Sequence, residues 1–437
     1  MMASAIALPL SPRSEGSTAQ QFGVARVVRV LTVLLAISAL YTGAATWGWN
    51  TGRLPAPPLA IMLIVFALTT VVALLDLSKL GSGVVIGWAM ASASIAMAAF
   101  LWSSGSEVAL QEVLTRTLSS LQLVAFVILL ADAKVRRIAR AAIVVASLAA
   151  VMLNLWEITH PMTFSMSLGR SAGFYVNPNI TGAALIAGML LALPAVAPRF
   201  RELYLLAIAV GVFTTLSRGA IVCWFVVMVF LICSRAIRRK RLAITFMAGA
   251  AFALSVAGAM LASGQLGYLG GGAEQFVRQR LAIGNKEQLG ADVSASSRSR
   301  LAVRALEMFG ERPFNGVGTG ATVEWNEPES THNIYVRHLA EYGLAGAWLV
   351  PVLLILSWRA ASAQSRAVGD AGEPTMRVAT SRAFVVFVAL WGVFSHNVLD
   401  DAFVLIGIAL TAALPVAHRS IATALDSTRP SPAGNRA

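Results

Sequence analysis

Residues 331–358 read THNIYVRHLAEYGLAGAWLVPVLLILSW and pass from a polar stretch into an apolar run. The run over 335–358 is long enough to cross a bilayer as a helix, which requires roughly 17–25 residues. His332, whose side chain exchanges protons near neutral pH, stands at the polar end of this run. The stretch therefore predicts a membrane helix with a titratable group at its tip.

Apolar runs of this kind recur along the chain. Of its 437 residues, 57% are hydrophobic and 13% are charged, and the mean hydropathy is +0.72. A soluble domain usually has about a quarter of its residues charged. These values predict an all-α polytopic membrane protein with about twelve transmembrane helices. The other predicted spans are 27–47, 59–77, 80–102, 117–131, 138–157, 180–197, 203–217, 219–234, 242–263, 383–396 and 402–417.

The positions of lysine and arginine predict which side of the membrane each loop faces. Cytoplasmic loops carry an excess of these residues, and this rule places both termini in the cytoplasm. The net charge of +13 then reflects basic loops that face anionic membrane lipids. The aromatic and basic residues do not alternate as they do on nucleic-acid surfaces, so no nucleic-acid partner is expected.

One long polar segment stands out between the apolar runs, and within it Arg298–Met308 predicts an amphipathic helix with Leu301, Leu306 and Met308 on its apolar side. At about 70 residues the segment is a subdomain that rests on the membrane. The chain thus divides into a disordered cytoplasmic N-terminus (1–23), transmembrane helices one to nine (24–263), a periplasmic loop subdomain (264–334), helices ten to twelve (335–417) and a cytoplasmic tail (418–437).

The surroundings of His332 favour a functional role. Thr331 is expected to cap the following helix. Eleven residues, close to three helical turns, separate His332 from Gly343. Gly343 and Gly346 would then lie beneath His332 on one face, where small residues admit a neighbouring helix. His338 faces another side and is expected to have a packing or interface role.

Nearby arginines distinguish His332 from a simple interfacial residue. Arg218 interrupts two apolar runs, and charges in such positions are usually functional, although snorkelling to lipid headgroups is the alternative. Arg300 and Arg304 lie one turn apart on the predicted amphipathic helix. Guanidinium groups match phosphate oxygens, whereas pairing with Glu307 is the simpler alternative.

A glycine-rich loop supplies further candidates. Arg170 precedes Asn177 and Asn179, and Asn179 is expected to cap the next helix. Either asparagine is a candidate for binding sugar hydroxyls, with plain turn formation as the alternative. The two cysteines, Cys223 and Cys233, share one predicted helix, and no clustered metal ligands predict a metal site. His396 and Asn397, in a short outer turn, are expected to border the site.

Together these motifs resemble the O-antigen ligase and polymerase superfamily of bacterial inner-membrane glycosyltransferases. The resemblance covers roughly residues 165–415, and its most specific part, similar to the ligase signature, is His332-Asn333 followed by Gly343 and Gly346. The other matching motifs are Gly169-Arg170 with Asn177-Pro178-Asn179, Leu216-Ser217-Arg218-Gly219, and Arg300-Leu301 with Arg312-Pro313-Phe314-Asn315-Gly316-Val317-Gly318.

The resemblance implies an enzyme that transfers a glycan from undecaprenyl diphosphate to a sugar hydroxyl of lipid A-core. The reaction would occur on the periplasmic side of the inner membrane without nucleotide, cofactor or metal. His332 would be the catalytic base, with Arg218 and Arg300 as catalytic arginines. The residues implied in substrate binding are Arg170, Arg304, Asn177, Asn179 and Asn333.

Three alternatives remain open at this point. Within the superfamily, an O-antigen polymerase ranks second and a protein O-oligosaccharyltransferase third. A transporter or flippase belongs to a different class and suits a chain with many spans. Transporters, however, usually show repeat symmetry and polar groups near the bilayer midplane, and here the visible charges lie at the ends of the predicted spans.

Overall fold

The computed structural model describes residues 15–75, 83–167, 169–262, 293–325, 327, 330–367 and 373–412. Within these ranges the regular structure is entirely helical, as predicted. A π-helical turn extends the first helix to Tyr41. The α-helices are α1 (Glu15–Ala36), α2 (Ala44–Asn50), α3 (Pro58–Leu74), α4 (Gly83–Phe100), α5 (Glu107–Leu129), α6 (Ala133–Thr159), α7 (Pro178–Ala192), α8 (Arg201–Thr214), α9 (Arg218–Cys233), α10 (Arg239–Ala262), α11 (Val293–Glu311), α12 (Ala321–Glu324), α13 (Ile334–Ala347), α14 (Leu349–Ala367), α15 (Glu373–Phe394) and α16 (Ala402–Ala412).

Six helical stretches among the described residues are long and apolar enough to cross a membrane. They are Val24–Tyr41, Gly83–Phe100, Glu107–Leu129, Ala133–Thr159, Pro178–Ala195 and Met376–Phe394. The pair α13 and α14 would make a seventh, bent by 65° at the junction. Helices α3, α9 and α16 are apolar but shorter. The protein is an integral membrane protein, and the predicted count of about twelve spans is not confirmed.

Helix α7 forms the centre of the bundle, because almost all of its residues are buried. Small residues permit this position. A Cβ atom on Gly182 would lie 2.6 Å from the Cβ of Ala220 in α9. The hydroxyl of Tyr41, at the end of the π turn, donates to the carbonyl of Ala184 (3.0 Å). The neighbouring α9 and the π turn after α1 therefore pack directly against α7.

The structure covers the predicted segments unevenly. Helix α1 already begins at Glu15, inside the segment predicted to be disordered, and residues 1–14 lie outside the described part. Of the predicted loop subdomain, residues 264–292 lie outside the described part, whereas α11 confirms the amphipathic helix. Leu301 and Ala305 form its buried side. Leu306, predicted to be on that side, is exposed. The predicted tail, 418–437, lies outside the described part.

Several chain segments meet at one end of the bundle, which we call the His332 end. Ser171 donates its backbone N–H to the carbonyl of Thr214 (3.1 Å). The backbone N–H of Ile334 donates to the carbonyl of Ser395 (3.2 Å). The first bond joins the segments after α6 and α8, and the second joins the segment after α15 to the start of α13. The candidate residues Arg170, Arg218, His332 and His396 lie in or beside these segments.

Candidate active site

Helix α13 begins just after His332 and is capped by Asn333. The Asn333 side-chain oxygen accepts hydrogen bonds from the backbone N–H groups of Tyr335 (3.0 Å) and Val336 (3.2 Å). Such a cap satisfies N–H groups that have no partner inside the helix. The prediction that Thr331 is the cap is therefore wrong. Asn333 was predicted to bind substrate, and its side-chain oxygen is already used in capping the helix.

A second histidine lies beside His332. The ring centroids of His332 and His396 are 5.8 Å apart, with the rings tilted by 59°. Both residues are half-buried. Burial lowers the pKa of His396 to about 3, and the positive charge of Arg337 acts in the same direction. His396 is thus neutral near pH 7, and its turn borders His332 as the sequence predicts.

Gly343 breaks α13 instead of contacting a neighbouring helix. Its backbone has φ of +61° and ψ of −151°, a conformation that favours glycine. A Cβ atom there would lie 2.6 Å from the carbonyl of Phe314. Leu344 donates its N–H to the carbonyl of Pro313 (2.8 Å). The helix-face argument that placed Gly343 beneath His332 to admit a helix is wrong, because the glycine admits the 313–316 loop.

A buried arginine supports the same helix from within the bundle. Arg337 is 0% exposed and forms ion pairs with Glu341 (3.1 Å) and Glu112 of α5 (2.6 Å). Its Nη1 also donates to the side-chain oxygen of Asn397 (3.2 Å). Buried charges require such pairing. Arg337 therefore ties the start of α13 to α5 and to the turn that carries His396.

A second buried arginine reaches that turn from α5. Arg116 is 1% exposed and lies 3.2 Å from Asp400. The predicted span 117–131 would leave Arg116 in a loop, but α5 begins at Glu107 and encloses it. Asp401 follows directly, and burial raises its pKa to about 8, with the charge of Asp400 adding to the effect.

Arg218 is the first residue of α9 and is half-buried. Ser217 precedes it as the N-cap and accepts from the N–H of Ala220 (3.4 Å). A Cβ atom on Gly219 would lie 3.0 Å from the Phe394 ring. Since Phe394 ends α15 two residues before His396, this close approach brings the start of α9 to the histidine turn.

Arg170 is held by the segment that leads to Arg218. Its Nε donates to the carbonyl of Thr215 (2.9 Å), and its Nη2 donates to the side-chain oxygen of Asn179 (2.8 Å). Asn177, and not Asn179 as predicted, caps α7 by accepting from the backbone N–H of residue 179 (2.9 Å). Pro178 fixes the first helical position, which leaves Asn179 in the first turn of the helix.

The loop that carries Arg170 is organised by a buried carboxylate at the end of α6. Glu157 is 3% exposed. Its oxygens accept from the backbone N–H groups of Phe164 (2.9 Å), Ala172 (2.7 Å) and Gly173 (3.2 Å). The sequence analysis did not single out Glu157. A carboxylate in the last turn of a predicted apolar helix is the signal that identifies it.

Comparison with known protein families gives a finding independent of this geometry. Residues 203–350 match the family model described as O-antigen ligase. Over this segment, about a third of the chain, the protein is similar to that family. The matched segment runs from α8 into α14 and contains Arg218, Arg300 and His332, whereas Arg170 and His396 lie outside it. No curated protein matches the chain.

In the matched segment, the two predicted arginines of α11 face solvent. Arg300 pairs with Glu327 (3.1 Å), five residues before His332. Arg304 pairs with Glu307 at 3.0 Å, the local partner that the sequence analysis weighed as the alternative. Their side chains are 63% and 51% exposed. Exposed pairs of this kind contribute little to stability, so the guanidinium groups can exchange partners.

The structure thus brings together some of the predicted ligase residues but not others. His332 contacts His396, while Arg170, Asn179 and the Thr215 carbonyl form one hydrogen-bonded group before Arg218. Arg300 and Arg304 remain with carboxylates on or near α11. Metal coordination is a separate question, and the described residues include no group of three or more His, Cys, Asp or Glu side chains that could hold a metal ion.

The sequence did not predict the buried charges beneath the candidate site. Arg337 and Glu341 stand four residues apart in the quoted stretch, a spacing that places them on one helical face. Ionisable residues inside predicted membrane helices are uncommon and usually paired. That spacing within a span is the signal that predicts the pair. Glu112, which also pairs with Arg337, is 225 residues away in the chain. No local sequence pattern can therefore predict this contact.

The candidate site combines a histidine that can accept a proton, arginines whose positive charge faces solvent, and a buried network of charges that holds the surrounding segments. His332 is half-buried next to a neutral imidazole. Arg218 stands at a helix N-terminus, where the helix dipole also favours anions. The Arg337 network holds α13 and the histidine turn in fixed relation. Proton transfer beside a stabilised anionic group is the chemistry that such a site supports.

Proposed function

We propose that this protein is an O-antigen ligase. It transfers a glycan from undecaprenyl diphosphate to a sugar hydroxyl of lipid A-core on the periplasmic side of the inner membrane. The observation that carries the proposal is the position of His332, half-buried beside a neutral histidine and linked through Phe394 to the arginine-bearing start of α9. The family match over residues 203–350 supports the same class of reaction.

In the proposed reaction, His332 acts as the general base. The acceptor hydroxyl oxygen attacks the anomeric carbon of the donor glycan and loses its proton to the imidazole. The bond between the anomeric carbon and the diphosphate oxygen breaks, and its electron pair leaves with the diphosphate. A histidine suits this step because imidazole is the side chain that most readily exchanges a proton near neutral pH.

Arg218 and Arg300 stabilise the departing diphosphate in this proposal. A guanidinium group offers planar, permanently charged donors for phosphate oxygens. Arg300 would exchange the Glu327 carboxylate for a phosphate, a change with little cost for an exposed pair. Arg304 lies one turn further along α11 and adds positive charge. The donor supplies its own activated leaving group, so the reaction consumes no nucleotide.

Arg170 and the asparagines take supporting positions. The Arg170 guanidinium is engaged by Thr215 and Asn179, and we assign it to orienting the turn before Arg218. Asn177 is exposed and Asn179 half-exposed at the start of α7, where their amide groups face the glycan. In this proposal the donor and acceptor lie in one leaflet, between the loop that carries Arg170 and helix α11.

The direct test incubates purified protein with lipid-diphosphate glycan and lipid A-core, without ATP or added metal. We expect the acceptor to shift to higher mass by the donor glycan. The exposed His160 stacks on Trp156 at the end of α6 and provides the matched control. His332→Ala should abolish the shift, whereas His160→Ala should retain it. Absence of any glycosylated acceptor with active, folded protein would refute the proposal.

Deletion in a cell that makes O-antigen separates ligase from polymerase. Loss of a ligase leaves polymerised glycan on the carrier lipid and none on lipid A-core. Loss of a polymerase leaves lipid A-core that carries a single unit. Chain-length analysis of both lipid pools therefore decides between the two, and single-unit lipopolysaccharide in the deletion strain would favour the polymerase.

A further inference from the structure

His396 is the second histidine of the candidate site, and the transfer reaction described above gives it no role. Its ring lies 5.8 Å from the ring of His332, measured between centroids. The family match ends at residue 350, so His396 lies outside the segment that is similar to known proteins. A histidine this close to the proposed base is within reach of the same substrate.

The turn that carries His396 is fastened to α13 on both sides of the histidine. The preceding residue, Ser395, accepts a hydrogen bond at its carbonyl from the backbone N–H of Ile334 (3.2 Å). The following residue, Asn397, accepts at its side-chain oxygen from Nη1 of Arg337 (3.2 Å). Both donors belong to the helix that begins after the proposed base. The two histidines therefore keep a fixed separation before substrate binds, and binding does not have to order them.

The imidazole of His396 has hydrogen-bonding capacity that the described part of the chain does not use. Its Nδ1 is buried and has no hydrogen-bond partner among these residues. Buried polar atoms in proteins nearly always have a partner, and an apolar residue would fill the same space without the cost of desolvating a nitrogen. The unused nitrogen therefore favours a role in binding a ligand over a role in packing alone.

The charge of the ring determines which ligand it fits. Burial lowers the pKa of His396 to about 3, and the positive charge of Arg337 acts in the same direction. The ring is therefore neutral near pH 7 and suits an uncharged partner, whereas guanidinium groups such as that of Arg218 suit an anionic diphosphate. A sugar hydroxyl both donates and accepts, so it can bond to the neutral imidazole in either tautomer.

We propose that His396 contacts the acceptor sugar and determines which acceptor is used, a role that rests on the proposed function. The attacking hydroxyl gives its proton to His332, and a neighbouring hydroxyl of the same sugar forms a hydrogen bond with the ring of His396. Ring centroids 5.8 Å apart leave room for two adjacent sugar oxygens, one at each ring. The two histidines together select sugars with adjacent hydroxyls in the matching geometry and turn the attacking hydroxyl towards the base.

The test measures transfer kinetics of the purified full-length protein with lipid-diphosphate glycan and lipid A-core. His396→Phe keeps an aromatic ring and removes both nitrogens, and His160→Phe is the matched control at an exposed histidine. We expect His396→Phe to raise the KM for lipid A-core about three- to tenfold, the usual loss for one neutral hydrogen bond, with the donor KM unchanged. His396→Gln keeps a hydrogen-bonding amide and should lose less. His160→Phe should behave like the wild type.

Acceptors that lack one hydroxyl identify the contact itself. Each lipid A-core analogue in a set lacks a different hydroxyl of the sugar that receives the glycan. The wild type should use one analogue, deoxygenated next to the attacked position, as poorly as His396→Phe uses the intact acceptor. That analogue should cause no further loss in His396→Phe, because both changes remove the same interaction. Losses that add fully for every analogue would overturn the proposal.

Binding of lipid A-core without donor, measured by native mass spectrometry, separates this role from the transfer reaction. Weaker binding by His396→Phe, with transfer absent even in the wild type, would refute the proposed function and retain His396 as a sugar contact. Equal acceptor binding and equal acceptor KM in wild type and folded His396→Phe would overturn the role of His396 and leave transfer intact, as would a change confined to the donor KM. Unfolding temperatures report folding, and should His396→Phe not fold, His396→Gln is compared with the same analogues.

Discussion

Arginines occupy two different settings at the His332 end of the bundle. Arg337 and Arg116 are fully buried and face carboxylates from other segments. Arg300 and Arg304 are exposed on α11 and pair with carboxylates that water also reaches. A buried pair cannot change partner without leaving a charge uncompensated. The exposed arginines can exchange a carboxylate for a phosphate, so the first set supports the site and the second is suited to substrate.

The largest expected effect of any substitution is on transfer activity, and it follows loss of the proposed base, His332. His332→Ala should lower the transfer rate by a factor of about 100 to 10,000, the usual contribution of a general base. Its unfolding temperature should stay near the wild-type value, because the side chain is only half-buried. His160→Ala is the control for the loss of an imidazole. Normal transfer by His332→Ala would remove this residue from the chemistry.

Loss of the buried arginine should act on stability. Arg337→Gln leaves the fully buried Glu341 without its partner and should lower the free energy of unfolding by about 3 kcal/mol. Chemical unfolding in detergent measures the change. The double variant with Glu341→Gln should recover part of it, since the orphaned charge is removed. Arg304→Gln is the exposed control, with little expected change. Equal stability of Arg337→Gln and wild type would contradict the assignment.

The half-buried Arg218 lies between the two settings. Arg218→Lys keeps the charge but loses the planar fork. Transfer should fall about tenfold or more if the side chain holds diphosphate, and donor affinity should weaken. Arg53→Lys, at an exposed arginine over the Trp47 ring (4.3 Å), controls for the substitution itself. If Arg218 only contacts lipid headgroups, the lysine variant will transfer at the wild-type rate.

The last prediction concerns how stability depends on pH at the carboxylate next to the Arg116 pair. The pKa of Asp401 is raised to about 8 by burial, above its unfolded value of about 3.9. The folded state therefore binds the proton more tightly, and this group's stabilisation is lost as pH rises from about 4 to 8. Unfolding temperatures across that range should fall less for Asp401→Asn than for wild type. Identical pH profiles would show that Asp401 ionises freely.

The same two settings explain what could be predicted from the sequence. Apolar run length locates helices such as α4 and α6, and apolar spacing locates the amphipathic α11, because these properties are local. Arg337 with Glu112 joins residues far apart in the chain, and no local pattern reports that contact. Arg300 and Arg304 were identified because they lie one turn apart on a predicted helix, and the Glu307 partner of Arg304 could be named because it is close in sequence.

Errors at the candidate site have a similar origin. Thr331 and Asn333 are both competent caps, and the bond from Ile334 to the Ser395 carbonyl, a tertiary contact, accompanies the start of the helix at residue 334. Gly343 was predicted to matter, but a glycine is needed there because the 313–316 loop approaches closely, and not because a neighbouring helix does. In both cases the residue types were informative, whereas the partner that decides their role came from elsewhere in the fold.

The most direct test measures glycan transfer per folded molecule for two variants that are prepared in the same way. Arg218→Gln should remain folded to the wild-type temperature and lose transfer. The double variant Arg337→Gln with Glu341→Gln should unfold at a lower temperature, yet the molecules that remain folded should still transfer glycan. This separation of activity from stability is the predicted result. Full transfer by Arg218→Gln, with no transfer by folded molecules of the double variant, would contradict it.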